Sequence, residues 1–294
     1  MTAGTTEVRP ARREDFEAVH PLLMELENPR MTRDDWRRML FDLAWKPGEE
    51  TRGWALWDGP RAVGFLGAIP SRRTLAGSER RFVNLSSWIV EPPYRSESMK
   101  LVLPALADRA RTIVNLSPSP AASEIFQSLG FRALETEQVL VPLVSGMGDL
   151  VPRVGVKLTT ALDSIRPRLD DSGQRIFDDL KGTQAAQILL ASGARTCHVV
   201  ATRSPWKARW RLAHVQYASD WDLFWEHPAR VARGFLRVLG TMGLRVDGRH
   251  VRGTLPAFSV RRALALPHLY RPEDASITPQ LVDGLYTEAV GLRW

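Results

Sequence analysis

Apolar residues at Phe16, Val19, Leu22, Leu23 and Leu26 recur at spacings of three and four, which predicts a helix over 13–27 with one apolar face. A short strand, Glu7–Pro10, precedes it. Thr32 followed by Asp35 has the form of a capping box opening a second helix, with Trp36, Met39, Leu40 and Leu43 on its apolar side and a stop at Lys46-Pro47-Gly48. Two apolar stretches, 53–58 and 61–70, flank Asp58-Gly59-Pro60 and read as a hairpin. A further strand over 74–83 turns at Ala76-Gly77-Ser78.

The stretch from Asn84 to Arg109 organises this half. A strand over 83–90 meets Pro92 and Pro93, which cannot continue a ladder, and a helix then runs to about Arg111. Ser96 and Ser98 in its first turn, beside Arg95 and Lys100, bring hydroxyls, unpaired N–H groups and cations towards one anion. A phosphate or pyrophosphate suits such a place; so does an ordinary strand-to-helix connection with a basic first turn. Next come a strand over 112–116, the turn Ser117-Pro118-Ser119-Pro120, a helix over 121–129 ended by Gly130, and a strand pair around 137–143.

After a connecting stretch over 144–170 that includes Ser145-Gly146-Met147-Gly148, the pattern predicts helices over 172–181 and 183–190 and strands over 196–202 and 210–218. A long helix over 222–239, a strand over 244–247 and a terminal turn and helix over 267–288 complete the chain. This repeats the element order of the first half in weaker form. With 294 residues the expectation is two domains, 1–145 and a degenerate 146–294.

Composition narrows the classes. The 44% hydrophobic and 25% charged content is that of a globular chain, and no run of about 18 apolar residues or secretory leader is present, so the expected place is the cytoplasm without membrane insertion. The net charge of +7 rests on arginine far more than lysine, which suits anionic ligands, but the charges are scattered and nucleic-acid binding is disfavoured. The single cysteine, Cys197, lies in an apolar run and reads as a buried small hydrophobe, and no Cys/His cluster has metal spacing. His214, His227 and His268 read as structural. Trp206, Trp210, Trp221 and Trp225 are core or interface anchors, with sugar stacking as the other reading.

The run Trp88-Ile89-Val90-Glu91-Pro92-Pro93-Tyr94-Arg95 feeding a helix, with Ile125-Phe126-Gln127-Ser128-Leu129-Gly130-Phe131 further on, resembles the GCN5-related N-acetyltransferase superfamily over about residues 7–143. The resemblance implies an α+β fold, a mixed and mostly antiparallel sheet flanked by helices, here in two tandem copies. It also implies acetyl-CoA or another acyl-CoA as co-substrate, no metal, and a pyrophosphate loop. The superfamily loop reads Gln/Arg-x-x-Gly-x-Gly/Ala; here it is Arg95, Ser96, Glu97, Ser98, Met99 and Lys100, so both glycines are replaced.

Where members carry a proton-donating tyrosine this chain has Phe126, where some carry a helix-start asparagine it has Ser119, and where some carry a basic carboxylate it has Asn84. Backbone N–H groups near Ile89 or Val90 are expected to polarise a thioester carbonyl, and Glu91, Tyr94 or a water chain to move protons. The second junction, Ser219-Asp220-Trp221-Asp222, is acidic and disfavours a second phosphate site. The expected function is N-acyl transfer to the primary amine of a small molecule or amino sugar, with a homodimer left open. The other class is a catalytically inactive binding or regulatory protein of the same fold.

Overall fold

The computed structural model describes residues 6–29, 31–45, 51–75, 77–145, 155–206 and 210–291. The helix stop expected at Lys46-Pro47-Gly48, the turn at Ala76-Gly77-Ser78 and the connecting stretch over 144–170 lie wholly or partly outside them. The chain divides into two compact units. Unit 1 is Met1–Arg132 with His268–Ile277 and Tyr286–Arg293; unit 2 is Ala133–Pro267 with Thr278–Leu285 and Trp294. The strand that follows residue 132, left with the first domain by a boundary after residue 145, therefore belongs to the second unit.

Unit 1 opens with β1 (Glu7–Pro10), α1 (Phe16–Met24) and α2 (Arg33–Leu40). The Thr32 side chain accepts from the Asp35 N–H and the Asp35 carboxylate accepts from the Thr32 N–H, so the capping box forms with the shorter acid. The hairpin follows as β2 (Gly53–Asp58) and β3 (Arg61–Leu75), and β4 (Ser78–Val90) runs back along β3. A 3-10 stretch, Pro92–Glu97, leads into α3 (Met99–Ala107), then β5 (Thr112–Asn115) and α4 (Pro120–Ser128). Gly130 has φ +85° after α4, the left-handed conformation expected of it.

The unit 1 sheet runs β1-β2-β3-β4-β5, antiparallel except for the parallel β4–β5 pair. Alternation along β4 sends Val83 and Leu85 into the cluster under α3 and α4 with Leu101, Val102, Ala105 and Phe126. Asn84 and Ser86 therefore face the other side, where α1 packs on β3 and β4 and where Phe16 meets Phe41 edge-on and Phe41 stacks on Phe65.

Unit 2 contains β6 (Arg132–Pro142), β7 (Val156–Thr159), α5 (Leu162–Ile165), α6 (Asp171–Asp179), β8 (Ala186–Ser192), β9 (Arg195–Trp206) and β10 (Trp210–Ala218). It continues through α7 (Trp221–Glu226), α8 (Pro228–Leu239) and β11 (Gly243–Asp247) into β12 (Val260–Arg271). The last residues of β12, Leu269–Arg271, pair with Ile113–Asn115 of β5 in unit 1. The chain then reaches α9 (Glu288–Gly291). The strand order in unit 2 is β7-β8-β9-β10-β11-β6, again antiparallel except for one parallel pair, β10–β11. The end of β12 thus adds to the unit 1 strands from outside their own run of sequence, and β6, the first strand of unit 2 in sequence, pairs with β11, the unit's last full strand before β12.

Several expectations change here. The stretch 183–190 is largely strand β8, buried on both faces from Gln187 to Ala191, so its continuous apolar run carries no period that separates strand from helix. The strand pair around 137–143 is a single strand, and the helix over 222–239 is two, broken at His227-Pro228 where proline lacks an N–H. The terminal turn and helix over 267–288 is the end of β12 followed by irregular chain.

Two measurements check this architecture. Gly53 has φ +130°, and a Cβ there would sit 2.1 Å from the Leu66 carbonyl oxygen. Gly53→Ala is expected to lower stability by about 3 kcal/mol, read from the urea midpoint at unchanged slope. Cys197 is buried and desolvation pushes its thiol up to about 12. At about pH 8 the native protein should leave it unreacted with a chromogenic disulfide, and urea should release it.

Candidate functional site

β4 and β5 pair at only three positions, Phe82↔Thr112, Val83↔Ile113 and Asn84↔Val114. β5 then ends at Asn115 while β4 continues to Val90 beside β3. Residues 85–90 therefore have no ladder partner on the β5 side. The Asn115 side chain bridges the start of the opening, its Nδ2 donating to the Leu85 carbonyl at 3.1 Å. Just beyond, Phe65 and Gly67 of β3 face Ile89 and Ser86 of β4, which inserts one extra residue in β4, and Ser87 takes φ +57°. Such a bulge bends and twists its strand. It also returns Ile89 to the face of Asn84 and Ser86, while Trp88 and Val90 join the α3–α4 side. The unpaired edge offers backbone N–H groups to a carbonyl of an extended ligand.

The residues expected from sequence fall around this opening with different freedom. Ile89 and Val90 lie on the unpaired edge of β4, opposite Phe65 and Gly64 of β3. The Glu91 carboxylate accepts from Arg61 Nη1 at 2.6 and 2.8 Å. The Tyr94 hydroxyl donates to Asp58 at 2.5 Å, and that bond is the main reason its pKa is raised. Ser119 caps α4, its Oγ accepting from the Ala122 N–H at 3.2 Å. Phe126 is buried against Trp88 and Phe131, with ring centroids at 5.5 and 4.8 Å.

The loop itself is wound tighter than a phosphate cradle. Pro92 and Pro93 have no N–H, Tyr94 N–H donates to the Glu91 carbonyl, and Ser98 N–H donates to the Arg95 carbonyl at 3.2 Å. The N–H that Ser98 was expected to offer is thus used inside the chain. Lys100 forms an ion pair with Glu97, and this partner holds the Glu97 carboxyl below its ordinary range. Met99 begins α3 and is half-buried. Arg95 and Ser96 are exposed, and Arg95 has no ion-pair partner among the described residues.

The group that sequence reasoning missed is Glu288. It sits on α9, far from the opening in sequence, and its carboxylate accepts from Asn84 Nδ2 and, at 2.7 Å, from Ser117 Oγ. Burial pushes its pKa up; the bonds from Ser117, its own backbone and Asn84 pull it down. The segment is anchored in unit 1 by Tyr286, whose ring meets Trp45 edge-on at 5.1 Å, and by Gly291 close to Met39 of α2. No local motif marks Glu288, because only the path of β12 and the residues after it brings it to Asn84.

Unit 2 has the corresponding parallel pair but fills its opening differently. β10 and β11 pair at Ala213↔Leu244 and His214↔Arg245, with a bulge between Val215 and Tyr217. Asp220 caps α7, accepting from the Leu223 N–H at 2.8 Å, and also holds Arg195. A helix end closed by a carboxylate repels phosphate. Trp221 stacks on His250 at 4.3 Å, and Trp225 Nε1 donates to the His250 carbonyl at 2.8 Å, so these two tryptophans pack the core of this unit. Trp206 and Trp210 meet edge-on at 5.9 Å. His214 bonds Asp247 at 3.2 Å within a buried set that Arg249 ties to Glu135. Among the described residues no group of three or more His, Cys, Asp and Glu side chains could hold a metal ion, and no helix is long and apolar enough to cross a membrane.

No protein-family model matches the chain, and no curated protein matches it. Solved structures do. A GCN5-related N-acetyltransferase from Kribbella flavida is similar with TM-score 0.57 and 12% identity, covering 92% of this chain and 71% of that one. A GCN5-related N-acetyltransferase from Anabaena variabilis is similar with TM-score 0.54 and 10% identity, over 92% and 73%. Eis1 from Mycobacterium abscessus is similar with TM-score 0.52 and 14% identity, over 92% and 74%. With the parted parallel pair and its bulge, these similarities show that the chain has the fold of the GCN5-related N-acetyltransferases.

Proposed function

We propose that unit 1 is an N-acyltransferase that takes an acyl-CoA, acetyl-CoA being the first to test, as donor substrate and the primary amine of a small molecule or amino sugar as acceptor. The observation that carries this reading is the opening between β4 and β5, with residues 85–90 unpaired along one edge and the strand bent at Ser87. A thioester arm lying in the opening receives N–H bonds from that edge, which polarise the carbonyl towards attack by nitrogen. The pyrophosphate falls to side chains: Arg95 and Ser96 are exposed at the loop, while the N–H of Ser98 and the ammonium of Lys100 are engaged within the chain. A guanidinium forms charge-assisted bonds with phosphate, so Arg95 is the main anchor.

A non-catalytic binding protein of this fold is the second reading, and Phe126 favours it, since a buried phenyl ring has no proton for a departing thiolate. Calorimetry separates the ligand question from turnover. Acetyl-CoA should bind with micromolar affinity, and Arg95→Ala should weaken it by about tenfold, the equivalent of one charge-assisted contact. No heat of binding with acetyl-CoA or longer acyl-CoAs contradicts the acyltransferase. Binding without thiol release against a panel of primary amines selects the binding protein.

A further inference from the structure

Asn84 is the last residue of β4 that β5 pairs, so its side chain marks where the strands begin to part. The amide nitrogen donates to Glu288, whereas the amide oxygen is buried and has no partner among the described residues. A buried acceptor without a donor is unfavourable, and an N–H brought by a ligand removes that deficit. Beside it, both oxygens of Glu288 already accept a bond, one from Asn84 and one from Ser117, and each retains acceptor capacity as a carboxylate. The local set is thus an ionisable carboxyl next to an amide oxygen that lacks a donor. Its complement is a nitrogen with several N–H groups and one proton to lose.

We propose that Glu288 is the catalytic proton acceptor of unit 1 and that the amide oxygen of Asn84 receives a second N–H of the same primary ammonium. The proposal rests on the acyltransferase reading and adds the residue and the acceptor chemistry to it. The ammonium gives its first proton to Glu288, and the freed lone pair forms the N–C bond at the thioester carbonyl. As the tetrahedral adduct collapses and the C–S bond breaks, the second proton passes from nitrogen to the departing sulfur. Amide and thiol result, and Glu288 returns its proton to solvent. No side-chain acid is needed at Phe126.

The surroundings of Glu288 suit it to this role. Burial raises its proton affinity above that of an ordinary carboxylate, the direction that favours a general base. Nearby, Asp35 of α2 accepts from Thr32 and Arg38, and Arg73 of β3 lies over the rings of Phe82 and Tyr286. The other carboxylate near the opening, Glu91, is held by Arg61.

The test uses the full chain, acetyl-CoA, and a panel of primary amines that includes glucosamine, benzylamine and a linear diamine. Glu288→Gln should bind acetyl-CoA as the wild type does yet lose about a hundredfold or more in kcat near neutral pH, the loss shrinking as pH approaches the pKa of the amine. Ser117→Ala, the milder variant, removes a bond that favours the carboxylate, so the acidic limb of its kcat/KM profile should move to higher pH. A carboxylate that only anchored the segment would show neither alkaline recovery nor a displaced limb. Glu288→Gln with wild-type kcat across the pH range, an unmoved limb in Ser117→Ala, or a wild type that binds acetyl-CoA but turns over no amine overturns the assignment. A wild type that binds no acyl-CoA overturns the acyltransferase reading itself, and the assignment with it.

Discussion

The pairing of β4 with β5 stops after Asn84, and the rest of unit 1 depends on that stop. Two parallel strands that diverge leave backbone groups without partners, which is unfavourable in a protein interior. The chain meets this with Asn115, whose side-chain amide replaces the first missing ladder donor, and with an extra residue at Ser87 that carries the rest of β4 away. Beyond those two devices the edge stays unpaired. A gap lined by main-chain donors, with an apolar floor under Trp88 and Phe126 on one side and a polar set around Asn84 on the other, is the chemical consequence.

The two units share a strand order but not a chemistry. In unit 1 the turn after the fourth strand presents Arg95, without an ion-pair partner among the described residues, and Asn84, Ser117 and Glu288 form a polar set beside the parallel pair. In unit 2 the same turn is closed by Asp220, and beyond the pair Trp221 lies flat on a buried His250 whose pKa desolvation lowers to about 3. Unit 1 thus keeps an opening, whereas in unit 2 aromatic side chains pack beyond the parallel pair.

Much of this was legible in the residues themselves. Pro92-Pro93 ends β4, Thr32 with Asp35 caps α2, and Gly130 turns the chain after α4, because each acts through backbone geometry within a few residues. The anion loop was legible in composition but not in conformation: the pairing of Lys100 with Glu97 and the bond from Ser98 N–H to Arg95 depend on how tightly the turn winds. Glu288 was not legible at all. Its meeting with Asn84 depends on the final segment returning to unit 1 after β12, and no local spacing encodes such a return. Strand β8 was missed because a strand covered on both faces has no polar side to reveal its period.

The central claim is that the acyl donor lies along the parted edge of β4 in unit 1. Hydrogen–deuterium exchange of the full chain with and without acetyl-CoA reads it most directly. Protection concentrated at the amides of 86–90 and at the loop around Arg95, with no change at 219–224, is the predicted result. Unchanged exchange over 86–90, or protection confined to unit 2, would contradict it.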